Sequence, residues 1–156
     1  MTGQIKTFIV TIALAECASA LGNAIIKNNC NFNVTVWPVG HSIAPKNTLK
    51  HGGSYSEEFT DEITLIGRAL KITLDPNSIS PDQEPQTDFA YNLVPGKVWY
   101  DLSDVFGDPF AGHKLVVHNA NTACPSIVWP HGIPPGSNIE NCDDIDADIT
   151  LTLCAK

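Results

Sequence analysis

Near the end of the chain, Ile145, Ala147, Ile149, Leu151 and Leu153 alternate with Asp144, Asp146, Asp148, Thr150 and Thr152. A two-residue period sends each set to its own face of an extended chain, so residues 145–153 predict a half-buried β-strand. The same period recurs at residues 32–37, where Phe32, Val34 and Val36 alternate with Asn33, Thr35 and Trp37. It appears again at residues 69–74, with Leu70, Ile72 and Leu74 inward and Lys71 and Thr73 outward. No segment holds a helical period over eleven residues. Eleven glycines and eleven prolines are spread along the chain, which suits many short strands joined by turns. The expected fold is all-β, a sandwich of two sheets.

Other strands are expected at residues 24–29, 89–94, 98–100, 114–118 and 126–129. Pro95-Gly96 turns a hairpin between the second and third of these. Residues 55–65 read as a strand paired with 69–74 through Gly67. Pro38 is expected to end the second strand, and residues 40–53 and 75–87 read as loops.

At the N-terminus, Lys6 precedes an apolar run over residues 8–15 and the small-residue pattern Ala18-Ser19-Ala20. This predicts a secretory leader, residues 1–20, cleaved after Ala20, and one mature domain over 21–156. The run is shorter than the ~20 residues that span a bilayer, and no later segment is apolar for that long. Cleavage removes Cys17 and leaves Cys30, Cys124, Cys142 and Cys154. An even count in an oxidising compartment reads as two disulfides, with three connectivities open. Lys6 and Glu16 leave together, so the mature chain keeps the net charge of -8. That charge argues against nucleic acid and anionic membrane as partners. Asn33-Val34-Thr35 is a glycosylation sequon, with Asn33 on the polar face of its strand.

Chemistry concentrates in residues 98–113, VWYDLSDVFGDPFAGH. Here a short aromatic strand is expected to break into a loop carrying Asp101, Asp104, Asp108 and His113. Trp99 offers a face on which a sugar ring could stack, and the aspartates offer hydroxyl acceptors or an acid and base. The plainer role of Asp101 and Asp108 is to brace the loop backbone, because Asp is first a turn former.

The opening AIIKNNCNFNVTVW, a strand, a cysteine and a strand ending in Trp37, resembles the start of mature thaumatin-like proteins. Together with GGSYSEEF, ALKIT, WYDLSDVFGDPFAGH and the closing LTLC, it resembles the small secreted fungal family named after the Blastomyces yeast-phase-specific protein. The resemblance implies a thaumatin-like β-sandwich, fungal origin, and secretion or association with the cell wall. It supplies no biochemical activity. Thaumatin-like proteins join their first mature cysteine to their last, which implies Cys30 with Cys154 and leaves Cys124 with Cys142. Many of them carry an acidic cleft, with whose charges Arg68 and Glu57 or Glu58 align only loosely.

Other constellations point to little chemistry. Asp144, Asp146 and Asp148 have the spacing of the first ligands of a calcium loop, but Ile149 stands where glycine is needed and Ala155 where glutamate closes the site. His41, His51, His113, His118 and His131 show no metal-ligand spacing, and Ser103 with His113 forms no nucleophile elbow. No metal and no cofactor are expected. The leading reading is a secreted, non-enzymatic protein of the cell wall or extracellular space. In its most concrete form it binds a carbohydrate through Trp99, Asp101, Asp104, Asp108 and His113. Two alternatives stand beside it. One is a cofactor-free small-molecule enzyme, a cyclase or isomerase using Asp104, Asp108 or His113 as acid and base. The other is a ligand-free structural or effector-like protein. Convergence of the aspartates and His113 in one deep pocket favours the enzyme, and an open groove favours binding.

Overall fold

A computed structural model describes residues 20–60, 67–76, 83–136 and 138–156, so the leader lies outside the described residues except for Ala20. Eleven strands run along these residues: β1 (Asn23–Asn28), β2 (Val34–Val39), β3 (Asn47–Leu49), β4 (Ser54–Glu58), β5 (Arg68–Thr73), β6 (Gln86–Val94), β7 (Lys97–Val105), β8 (Leu115–Asn119), β9 (Ile127–Trp129), β10 (Ile139–Cys142) and β11 (Ile149–Leu153). They form a five-stranded sheet ordered β4-β1-β11-β8-β9 and a six-stranded sheet ordered β10-β7-β6-β5-β2-β3. All pairings are antiparallel except β1 with β11, which brings the two ends of the described chain side by side.

Alternation decides what each sheet buries. Ala24 and Ile26 of β1, Leu115 and Val117 of β8 and Ile149, Leu151 and Leu153 of β11 face Val34, Val36, Leu70, Ile72, Phe89, Val98, Tyr100 and Leu102 of the other sheet in one apolar core. Trp129, Phe59, Phe89 and Phe110 are fully buried there, each worth about 1.5–3 kcal/mol of transfer free energy. Two disulfides join Cys30 to Cys154 and Cys124 to Cys142. The hairpin of β6 and β7 turns at Pro95-Gly96, with Val94 opposite Lys97. Gly96 there takes φ 73°, the left-handed conformation that the third position of a type II turn requires.

Four expectations are corrected. Pro38 lies inside β2, opposite Leu70. Its missing N–H costs nothing there, because β3 covers only Val34 to Val36 and Pro38 needs only to accept, from the Ala44 amide at 2.9 Å. Both faces of β2 are buried rather than one, and Asn33 sits exposed just ahead of the strand. β4 and β5 do not pair through Gly67, since β4 joins β1 in one sheet and β5 joins β6 and β2 in the other; residues 61–66 between them lie outside the described residues. The last strand starts at Ile149. Asp144 and Asp148 instead hold the turn before it: Asp144 accepts from the Asn121 amide group at 2.9 Å, and Asp148 accepts from the backbone and side chain of Asn23 at 2.8 and 2.9 Å.

Candidate functional site

β7 continues to Val105, so Asp101 and Asp104 stand on a strand rather than in a loop. Since Val98, Tyr100 and Leu102 point into the core, Trp99 and Asp101 must point to the outer face of the six-stranded sheet. Register then sets their neighbours. Val39, Ala69, Ala90, Asp101 and Ile139 form one row across β2, β5, β6, β7 and β10. In the next row, Asn92 and Asn141 flank Trp99.

Two alanines at the centre of the first row leave a trough between larger neighbours, an open groove of about 700 Å³. Gly67 lets β5 begin close against β6: a Cβ there would sit 2.7 Å from the Tyr91 carbonyl oxygen, and its φ of 121° suits glycine alone. The other end of this outer face is closed. Trp37 donates to the Thr73 hydroxyl at 3.0 Å, and Lys46 lies 5.1 Å from the Trp37 ring centre while bonding to the Pro76 carbonyl. Among the described residues, the groove of this outer face therefore lies at the Trp99 end of the sheet.

Within the groove, Trp99 is 41% exposed. The Lys97 ammonium holds it by a cation–π contact at 5.8 Å and is itself anchored to Asp143 at 2.6 Å and the Asn141 side chain at 2.9 Å. Asp101 is half-buried. Burial raises its pKa, and no hydrogen bond or ion pair reaches its carboxylate among the described residues. It is an acceptor that the protein leaves to solvent or a ligand. Ile139, 60% exposed, and Ile43 extend the apolar surface at the two ends.

The other candidate residues are not in this groove. Asp104 has the parity of the core-facing residues and meets the Thr87 hydroxyl at the end of the sandwich, with Asp108 beside it. His113 packs edge-on against Phe32, ring centres 5.4 Å apart, and is exposed. The structure thus brings Trp99 to Asp101 and Asp104 to Asp108, and leaves His113 with neither pair. Sequence reasoning missed Val39, Ala69, Ala90, Asn92 and Ile139, which reach the site through register. One local signal existed: Ala69 and Ala90 are small apolar residues at outward positions flanked on the same face by polar ones, Lys71 beside Ala69 and Asp88 and Asn92 beside Ala90.

Arg68 and Glu57 occupy the space between the sheets. Glu57 of β4 pairs with Arg68 of β5 and accepts from the hydroxyls of Tyr55 at 2.7 Å and Tyr91 at 2.8 Å. Burial, followed by the bond to Glu57, pushes the Tyr55 hydroxyl up to about 12.

Comparison with known proteins places this fold. Residues 11–155 match the family model for the Blastomyces yeast-phase-specific protein. An antigenic thaumatin-like protein of Arthroderma benhamiae is 28% identical over 157 residues, covering 94% of this chain and 77% of its own. The crystal structure of the protein elicitor MoHrip2 from Magnaporthe oryzae superposes with a TM-score of 0.70 at 22% identity, covering 86% of this chain and 99% of that one. The thaumatin-like xylanase inhibitor TLXI gives 0.57 at 11% identity, over 85% and 99%. The sandwich is thaumatin-like, with two disulfides, and the chain belongs to the Blastomyces yeast-phase-specific protein family.

Proposed function

We propose that this is a non-enzymatic extracellular binding protein whose outer-sheet groove holds a carbohydrate. The carrying observation is the juxtaposition of Trp99, exposed and braced by Lys97, with the Asp101 carboxylate, unpartnered among the described residues, over an alanine floor. An aromatic face takes the apolar side of a sugar ring while a carboxylate accepts its hydroxyl protons. Asp101 is the one carboxylate among the described residues lining the groove. Glycoside hydrolysis uses two, so the geometry favours holding a glycan over cleaving it. The neighbours' names, an antigen, an elicitor and an enzyme inhibitor, describe proteins that act by being recognised or by binding, which supports the same reading.

The test is a glycan array followed by titration of the oxidised protein. Trp99→Ala is expected to weaken binding about 30-fold or more, the ~2 kcal/mol of an aromatic hot spot, while Asp104→Asn leaves it unchanged. Failure of the wild-type protein to bind any glycan would remove the proposal.

Secretion with cleavage after Ala20 and a glycan on Asn33 belong to this reading. Asn33 is exposed, but Thr35 of the same sequon is fully buried. Transfer therefore has to precede folding. Protein secreted from a eukaryotic host is expected to lose mass on amidase deglycosylation, and Asn33→Gln protein to show no change. An identical mass before and after treatment of the wild type would show an empty site.

A further inference from the structure

The groove holds a carboxylate on an apolar floor, and the cations around it are engaged elsewhere. Asp101 shares its row with Val39, Ala69 and Ala90 on one side and Ile139 on the other. Lys97, on the same face of β7, gives its ammonium to Asp143 at 2.6 Å, to the Asn141 side chain at 2.9 Å and to the Trp99 ring at 5.8 Å. Arg68, at the border of the groove, grips Glu57 between the sheets. Lys71 stands one row further on, opposite Asp88. Asp101 thus gives up hydration without gaining an opposite charge among the described residues, which is why burial raises its pKa. Trp99 stands two residues earlier on the same face, about 6.6 Å away along the strand. A sugar ring stacked on the indole therefore brings a ring substituent to the carboxylate, not the ring itself.

On the carbohydrate reading of the groove, we propose that its ligand is an oligosaccharide carrying free amino groups, with one ammonium bound by Asp101 and its ring stacked on Trp99. A hydroxyl at that position would satisfy a lone pair but leave the negative charge unbalanced. An ammonium does both, and a charge-assisted bond is roughly twice as strong as a neutral one. Sugars bearing carboxylates or sulfates are rejected by Asp101 and by the net charge of -8. The apolar row crosses five strands, about 19 Å at the usual strand spacing, which suits a short oligomer rather than a single sugar. A flexible cationic peptide would meet the same carboxylate but bring no ring for the exposed indole face.

Calorimetric titration of the oxidised protein at about pH 6, where an amine of this kind is protonated, compares a glucosamine hexamer with its N-acetylated counterpart, whose amides carry no charge. The glucosamine hexamer is expected to bind at least about tenfold more tightly, and Asp101→Asn to erase the difference. Glu58→Gln removes one charge from β4 in the other sheet and is expected to preserve it. Hexalysine is expected to bind at least about tenfold more weakly than the glucosamine hexamer. Equal affinity for the two hexamers, or a preference that survives in Asp101→Asn, would overturn the amino-sugar assignment and leave the carbohydrate reading standing. So would hexalysine binding as tightly as the glucosamine hexamer, or loss of the preference in Glu58→Gln, since either would mean that charge alone is read. If neither hexamer binds, the assignment falls, and a blank glycan array would remove the carbohydrate reading with it. Thermal melts confirm the fold of Asp101→Asn, and Asp101→Ser repeats its readout.

Discussion

Glu57→Ala is expected to cost the fold about 3 kcal/mol, the lower end of the range for breaking a buried ion pair by removing one partner. The lower end applies because the side chains of Arg68 and Glu57 keep 17% and 12% of their exposure. Glu57 accepts four bonds: two from the Arg68 guanidinium, and one each from the hydroxyls of Tyr55 and Tyr91. Tyr91 is 2% exposed. The alanine variant would thus leave a guanidinium and a buried hydroxyl without the acceptor that compensates their desolvation. The cluster also bridges the two sheets, since β4 belongs to one and β5 and β6 to the other. Guanidinium unfolding at neutral pH measures the loss, with an unchanged m-value showing that the same surface unfolds. Joint replacement of Glu57 and Arg68 by leucine is expected to recover much of it, because a well-packed apolar pair avoids the desolvation cost of both charges. A loss below ~1 kcal/mol for Glu57→Ala would show that water already serves the cluster.

Leu70 and Ile72 of β5 and Ile149, Leu151 and Leu153 of β11 were legible as core-facing because period two is a local property of a strand with one buried face, whereas Leu74, expected inward, lies past the end of β5 and is 40% exposed. The same rule misled at residues 145–148, where Ile-Asp-Ala-Asp repeats the pattern but Asp144 and Asp148 are occupied bracing a turn. Pro38 misled in the opposite direction: a breaker is harmless where a strand's partner has already ended. β3 and β10 gave little signal, being strands of three and four residues at sheet edges. The separation of β4 from β5 is a matter of topology, which alternation does not encode. Within the site, Trp99 and Asp101 stood out by residue type. Assigning the aspartates to a loop hid the consequence of parity, that Asp101 and Asp104 point to opposite sides of one strand. The alanine floor depends on pairing residues as far apart as Val39 and Ile139 in the chain, so only the folded register reveals it.

Replacing Cys30 and Cys154 together by alanine is expected to cost about 5 kcal/mol, against about 3 kcal/mol for the Cys124 and Cys142 pair, on the loop-closure estimate. The difference follows from sequence separations of 124 and 18. Location reinforces it. Cys30 follows β1 and Cys154 follows β11, so the first bridge pins the end of the parallel pair, a contact between distant parts of the chain that folding has to find without local help. Cys30 is 1% exposed and packs in the core, which makes alanine a better probe than serine, whose hydroxyl would be buried there. The adjoining turn is held independently: Asn28, fully buried, donates to the carbonyls of Phe32 and Leu49 at 2.9 Å and accepts from the Cys30 amide at 2.9 Å. The loss should therefore reflect the freed chain rather than a collapsed turn. With total stabilities of small domains near 5–15 kcal/mol, the Cys30 and Cys154 variant should be unfolded or nearly so at physiological temperature, and the Cys124 and Cys142 variant folded with a lowered Tm. Equal losses for the two pairs in chemical denaturation would show that chain closure does not set their contributions, and a larger loss for the short bridge would place the stability of the sandwich in the β7–β10 edge instead.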